Sequence, residues 1–242
     1  MNPTPPSDDA GADVRRTYST YCSHKPRGRN DILANREVLW QALAIEESII
    51  RAIGATGLRP FLARLLYVGC GGGGQIPVFL HVGFPMSNIH GLDILPERIA
   101  QARRTFPGMD LSVGDAQNLA YPDDHFDLVF ESTLFIQMLD EDLASRVAGQ
   151  MLRVCKPGRY VMLSDWRYSK PCNPDYRGLS NKRIRRLFDV PGRCEVVGRF
   201  PGALIPPVGR LLSKRCPSLY LLTRRVFPFL AGHRTVLLRK VG

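Results

Sequence analysis

Short apolar runs that stop at glycine or aspartate, each followed by a stretch of helical periodicity, set the rhythm of this chain. Leu65 to Val68 is an uninterrupted apolar run ending at Gly69, which reads as a buried strand entering a tight turn. Runs of the same kind at 89–92, 111–113, 127–130, 160–164, 194–199 and 234–240 predict further strands. Between them, 75–82, 96–105 and 141–154 predict helices, with Pro77 tolerated in a first turn. Ahead of the first strand, Ile32, Leu33, Leu39, Leu43, Ile49 and Ile50 fall near helical spacing. Asp31 is placed to cap that helix, and Gly54 and Gly57 are expected to end it near Ile53. Regular strand–helix alternation predicts an α/β fold: parallel strands, helices on both faces, and ligands at the carboxyl ends.

Chemistry concentrates where these strands end. Gly69, Gly71 and Gly74 satisfy G-x-G-x-x-G, the loop that opens a nucleotide-type pocket. Glycine tolerates positive φ there, and its missing side chain lets a ligand lie against the backbone. The loop alone fits a flexible turn without ligand as well. Asp93 ends the second strand 24 residues after Gly69, at the spacing where a carboxylate accepts hydrogen bonds from ribose hydroxyls. A nicotinamide cofactor and an adenosyl ribose ask for the same group. The third segment separates them: Leu111-Ser112-Val113-Gly114-Asp115-Ala116, then Gln117 to Pro122, then Phe126-Asp127-Leu128-Val129-Phe130.

Together with Val68-Gly69-Cys70-Gly71, Gly91-Leu92-Asp93 and Leu152-Arg153-Val154-Cys155-Lys156-Pro157-Gly158, these motifs follow one another over roughly residues 60 to 165. Over that stretch the chain resembles the class I S-adenosylmethionine-dependent methyltransferases of the type 11-like kind. The resemblance implies a Rossmann-like, seven-stranded, mostly parallel sheet with an antiparallel last strand, and S-adenosylmethionine as cofactor. It implies that Gly69, Cys70, Gly71 and Gly73 line the methionine and ribose side of the cofactor. Asp93, with Ile94 beside it, would hold the ribose, and Asp115 and Ala116 would face the adenine. Glu131 would close the fourth strand against cofactor or acceptor. Two positions depart from the pattern. Tyr67 stands where an acidic residue usually precedes the glycine turn, which puts cofactor affinity in question. Arg159 stands where a second glycine is usual and reads as part of a surface turn. Asp127, at the start of its strand, reads as structural.

Composition bounds the rest. At 242 residues the chain is one domain of ordinary enzyme size, expected over residues 30–242 behind a flexible segment, 1–29, whose start is rich in Pro, Asp and Ser. The six cysteines, Cys22, Cys70, Cys155, Cys172, Cys194 and Cys216, form no C-x-x-C pair. That argues for a reducing cytoplasm and against both a disulfide framework and a metal site. Charge divides unevenly: residues 1–150 carry 13 basic and 18 acidic side chains, residues 151–242 carry 20 and 4. Such a basic remainder points to an anionic acceptor or an anionic surface.

Two stretches exceed the minimal fold that the resemblance implies. The first, about 165–191, releases Asp165, Arg167 and Tyr168 from the end of a central strand. They are the expected acceptor contacts, with Asp165 the candidate base for a hydroxyl acceptor; a solvated loop fits equally. Residues 181–188 read as a short basic helix on its far side. The second stretch, about 200–233, carries apolar runs broken by arginines, too short to span a bilayer. It suits either a helical lid or a helix lying at a membrane surface. In methyltransferases of this kind the first helix covers the cofactor cleft, so Tyr18, Tyr21 and His24 just before it suit either acceptor contact or a packing or surface role, and Phe135, Ile136 and Met138 suit either an apolar acceptor wall or the core. The later half, with Asp165-Trp166-Arg167-Tyr168, Pro206-Pro207 and Gly232-His233-Arg234-Thr235, is more loosely similar to methyltransferases encoded with bacterial exopolysaccharide and lipopolysaccharide assembly. That likeness implies a sugar or lipid-linked glycan acceptor, a contact from His233, and work at the inner membrane face. A small natural product or a quinone, an RNA, and a non-catalytic cofactor scaffold are the rival readings. The absence of a recognisable RNA-binding module argues against RNA.

Overall fold

The computed structural model describes residues 35–169 and 175–242. Tyr18, Tyr21, His24, the Asp31 cap and the N-terminal segment 1–29 lie outside them. Helix α1 (Arg36–Thr56) precedes β1 (Leu65–Val68), and α2 (Ile76–His81) follows the glycine loop. Strand β2 (Ile89–Asp93), α3 (Pro96–Thr105), β3 (Asp110–Val113), β4 (Phe126–Ser132), α4 (Glu141–Val154) and β5 (Cys155–Trp166) complete the alternating part. Then come α5 (Asn181–Leu187), β6 (Cys194–Pro201), α6 (Pro206–Arg215), α7 (Pro217–Val226) and β7 (His233–Lys240).

The strands form one seven-stranded sheet in the order β3-β2-β1-β4-β5-β7-β6. Strands β3 to β5 pair parallel through β1, whereas β7 runs antiparallel to both β5 and β6. The order reverses between β1 and β4, and a crevice opens outside the carboxyl ends at such a switch point. Central strands read as near-continuous apolar runs because both faces are covered: all four residues of β1 are buried. One face packs on α4 and α5 through Val129, Leu163 and Val236, the other on α1, α2 and α3 through Leu65, Phe130 and Met162.

The helices begin where the sequence offers donors a partner. Asp140 accepts from the Asp142 and Leu143 N–H groups at 2.8 and 3.3 Å to start α4, and Ser180 accepts from Arg183 N–H at 3.2 Å to start α5. Helix α1 does not stop at Gly54: it continues to Thr56 and ends at Gly57, whose φ of 65° suits the left-handed position after a helix. Gly54 can be absorbed because one interior glycine costs only about 1 kcal/mol, and Ile49, Ala52 and Ile53 anchor that turn on the sheet.

Asp127 is structural, as its place predicts. It accepts from Arg64 N–H at 3.0 Å and from Lys156 Nζ at 3.0 Å, and Arg159 Nε stands 3.4 Å away. Arg159 therefore occupies its turn as a counter-ion, at the sheet end opposite the crevice.

Between β6 and β7 the 200–233 stretch holds the two helices α6 and α7. Leu204 and Tyr220 pack with Ala44 of α1 into a small core of their own, and Leu204 N–H donates to the Tyr220 hydroxyl at 3.1 Å. Among the described residues no helix is long and apolar enough to cross a membrane.

Candidate active site

The glycine loop and the end of β2 form one hydrogen-bonded unit. Gly69, Gly71 and Gly73 have φ of 67°, 53° and 83°, backbone that a side chain would strain. The turn folds back so that Cys70 N–H donates to the Leu92 carbonyl at 2.9 Å and Gly71 N–H to Asp93 Oδ2 at 2.8 Å. Leu95 N–H donates to Asp93 Oδ1 at 2.9 Å. Each carboxylate oxygen keeps lone-pair capacity for further donors. Burial, first of all, raises the Asp93 pKa above its ordinary range, while those two backbone donors and Arg98 pull it down. Ile94 is half-buried beside it. One strand further, Asp115 accepts from the Gln117 N–H at 2.9 Å and side-chain amide at 3.0 Å, with Ala116 packed against the core. Gly114 N–H donates to the Asp93 carbonyl at 3.0 Å, tying the two acidic turns together.

Glu131 and Asp165 end β4 and β5. In the ladder Glu131 stands opposite Val68 on one side and Leu163 on the other, so Asp165, two residues beyond Leu163, lies on the same face. Both carboxyls are buried. Glu131 Oε2 accepts from Leu134 N–H at 2.9 Å, whereas Oε1 has no hydrogen-bond partner among the described residues. Burial and then the neighbouring Asp165 push the Glu131 pKa well above its ordinary value. Asp165 accepts from Trp166 N–H at 2.6 Å and Ile136 N–H at 2.9 Å; burial brings its pKa up to about 7. Leu134 folds over the turn at Gly69, so close that a Cβ there would meet its methyl at 2.9 Å. The exit from β4 and the glycine loop are thus packed as one piece.

Tyr67 lies on the opposite face, its ring 4.8 Å from that of Phe130. Burial, reinforced by Cys70 and Glu131, drives its phenol far above the usual pKa. A neutral hydroxyl therefore stands where relatives of this pattern carry a charge. Cys70 is buried as well, and burial raises its thiol to about 12, which makes it a packing group.

Beyond β5 the expected acceptor residues separate into two depths. Arg167 stacks its guanidinium 4.7 Å from the Tyr168 ring centroid, and the Tyr168 hydroxyl donates to the Phe229 carbonyl at 2.9 Å. Both are near the surface. His233 is fully buried beneath them, its ring edge-on to Trp166 at 5.4 Å. Burial depresses its pKa to about 3, so the ring is neutral. The Ser164 backbone favours the charged form slightly, yet neither ring nitrogen is in hydrogen-bond geometry with any described group. Gly202 makes room for it, since a Cβ there would lie 2.6 Å from Nδ1. No sequence signal marked Gly202, because the close approach is long-range.

Phe135, Ile136 and Met138 do not form an acceptor wall. Phe135 packs its ring 5.6 Å from that of Phe188 inside the core, Ile136 is buried, and Met138 packs against the same cluster. Helix α5, expected on the far side of a loop, turns Ile184, Leu187 and even Arg183 inward. The Arg183 guanidinium donates to the carbonyls of Phe135, Arg177 and Met138 at 2.8, 2.7 and 2.6 Å and pairs with Glu141 at 3.0 Å. Burial lowers its pKa to about 10. It staples the β4 exit that carries Glu131. The spacing of Ile184 and Leu187 was its available signal, masked by four surrounding cations.

Several of the basic side chains of the later half are paired internally. Glu141 also engages Arg177 and Arg186, Asp123 engages Arg153, Glu47 engages Arg224, and Asp124 engages Lys240. Among the described residues no cluster of His, Cys, Asp and Glu suits a metal ion.

The comparisons with known proteins agree with this geometry. Residues 65–158 match the family described as a methyltransferase domain. The chain is 31% identical over 139 residues to the phthiotriol/phenolphthiotriol dimycocerosates methyltransferase 1 of Mycobacterium ulcerans, covering 55% of this chain and 49% of that protein. It is 35% identical over 138 residues to the fatty-acid O-methyltransferase of Mycolicibacterium smegmatis, covering 55% and 48%. It thus spans about half the length of these curated relatives. A putative sarcosine dimethylglycine methyltransferase from Galdieria sulphuraria superposes with a TM-score of 0.59 at 19% identity, covering 82% of this chain and 86% of that one, which shows the shared fold. Over residues 65–158, with the glycine loop at the switch point of the sheet and Asp93 and Asp115 at the ends of the next two strands, the chain matches the methyltransferase domain family and shares the fold of S-adenosylmethionine-dependent methyltransferases.

Proposed function

We propose that this protein transfers a methyl group from S-adenosylmethionine to a hydroxyl of a lipid or lipid-linked acceptor. The observation that carries the reading is the hydrogen-bonded junction of Gly71 with Asp93 at the sheet's switch point, inside a matched methyltransferase domain.

The residues present suit the cofactor. Asp93 keeps acceptor capacity toward ribose hydroxyls, and the unpartnered Glu131 Oε1 suits an ammonium donor at the methionine end. Glu131 so supplies an acidic group near the glycine turn, where Tyr67 is not one. When bound, the cofactor supplies an electrophilic sulfonium methyl; the protein's part is to position the acceptor and manage its proton. In-line attack needs the hydroxyl oxygen held close to the methyl carbon, and positioning contributes much of the rate. Asp165, with its pKa raised to about 7, is poised to take that proton near neutral pH. Arg167 and Tyr168 guide the acceptor in from the surface. Neutral His233 and Trp166 give it a buried wall.

The lipid class rests on the named activities of the two mycobacterial relatives, a fatty acid O-methylation and a dimycocerosate methylation. A lipid-linked sugar is the polar member of the same class. The test is calorimetric titration with S-adenosylmethionine and S-adenosylhomocysteine, followed by transfer of labelled methyl to a panel of hydroxy fatty acids, hydroquinones, lipid-linked sugars and RNA. Micromolar cofactor binding with label in the lipid arms is expected. Tight cofactor binding with label in RNA alone overturns the acceptor, and absent cofactor binding overturns the enzyme.

A further inference from the structure

Helix α7 is apolar on two sides, and the described residues cover only one of them. Tyr220 and Arg224, four residues apart, face inward: Tyr220 is fully buried and Arg224 pairs with Glu47 of α1. Leu219, Leu222 and Val226, at helical spacing on the other side, are 46%, 55% and 54% exposed, and the stripe runs on through Phe227 and Phe229, 46% and 61% exposed. The two phenyl rings pack edge-on at 5.9 Å, which holds them as one blunt knob. A contiguous exposed patch of this kind marks an interaction surface.

Charge identifies the occupant. From residue 196 to the last residue the chain carries no Asp or Glu. Lys214, Arg215 and Arg225 are exposed around the stripe, and the facing carboxylate of α1, Glu47, is engaged by Arg224 and Arg51. A second copy of this chain would set like charges against each other across a two-fold axis. Leucine and phenylalanine beneath a rim of basic side chains instead match the interface of an anionic bilayer, where apolar groups enter the acyl boundary and cations meet head groups.

We infer that the outer face of α7 and the Phe227–Phe229 knob dock this protein on anionic lipid bilayers. The Tyr168 hydroxyl bonded to the Phe229 carbonyl joins the docking knob to the segment that leaves β5 at the site. A lipid acceptor would therefore meet the protein where it sits on its membrane. The inference stands on shape and charge and is independent of methyl transfer, because its readout is binding.

The experiment is flotation of the full chain with phosphatidylcholine vesicles, with and without phosphatidylglycerol, at low and high salt. Binding confined to the anionic vesicles and weakened by salt is expected. Leu222→Asp and Phe229→Asp should each lower partitioning roughly tenfold or more, since burying such a side chain is worth at least that factor. Arg225→Glu should lower it by about fivefold or more, at about 1 kcal/mol per basic residue near an anionic surface. All three positions are exposed, so circular dichroism and S-adenosylhomocysteine affinity should stay unchanged. No binding to anionic vesicles at low salt overturns the inference. So does binding that both Asp variants leave intact, or a Leu222→Asp effect seen only as dimer dissociation in light scattering.

Discussion

Replacing Asp93 separates a cofactor-holding carboxylate from one that merely shapes a turn. Its two oxygens accept from Gly71 at 2.8 Å and Leu95 at 2.9 Å. In Asp93→Asn one of those N–H groups must face the new amide NH2, and a buried donor left unpaired costs about 1–3 kcal/mol. On the ligand side, hydrogen bonds from ribose hydroxyls to a charged acceptor are worth about 1.5–3 kcal/mol. Part of the first loss falls on folding and not on binding, so the dissociation constant should rise by about 2–4 kcal/mol, roughly 30- to 1,000-fold. Calorimetry with S-adenosylhomocysteine on both proteins measures the binding part, and urea unfolding without ligand measures the folding part. A variant with lowered unfolding free energy but an affinity within about threefold of wild type would refute the reasoning, because Asp93 would then serve the loop alone.

Three further outcomes are expected. Gly73→Ala should weaken cofactor binding and lower the melting temperature, because the residue sits at φ 83° and the added methyl would lie 2.7 Å from the Phe106 ring; differential scanning fluorimetry with and without S-adenosylhomocysteine reads both. Arg183→Met should destabilise by about 2–4 kcal/mol in urea unfolding, since the carbonyls of Arg177 and Met138 lose their donor while Glu141 keeps Arg177 and Arg186. The Asp165 pKa is raised by burial from a carboxylate's usual value to about 7, so the native state holds the proton more tightly. The stability from that proton is present in full at low pH and drains away as pH rises from about 4 to about 7. The gap between wild type and Asp165→Asn should therefore narrow over that window, by up to ~4 kcal/mol, and a gap independent of pH counts against the buried carboxyl.

What the linear chain determined by itself is the frame and the glycine-loop turns of the proposed cofactor end. Apolar runs ending in Gly69, Asp93 and Gly114 carry both the strand positions and the turn chemistry, because in a parallel α/β sheet the residue that terminates a strand is also the residue that faces the ligand. Glycine conformation, strand burial and the Gly71–Asp93 spacing are local properties, so local pattern is enough. The proposed acceptor end depended on tertiary structure. Asp165 and His233 stand 68 residues apart in sequence yet lie side by side, because β7 pairs antiparallel with β5 and sets Asp165 opposite Arg234 and Trp166 opposite His233. Arg183 reads as surface charge until α5 folds inward on the β4 exit, and the acidic partners of the paired basic side chains come from distant elements. Leu219 and Tyr220, adjacent in sequence, differ most of all: the small core of Ala44 and Leu204 claims one and leaves the other to solvent. Apolarity is written in each residue, but which apolar group is covered depends on which long-range neighbour arrives.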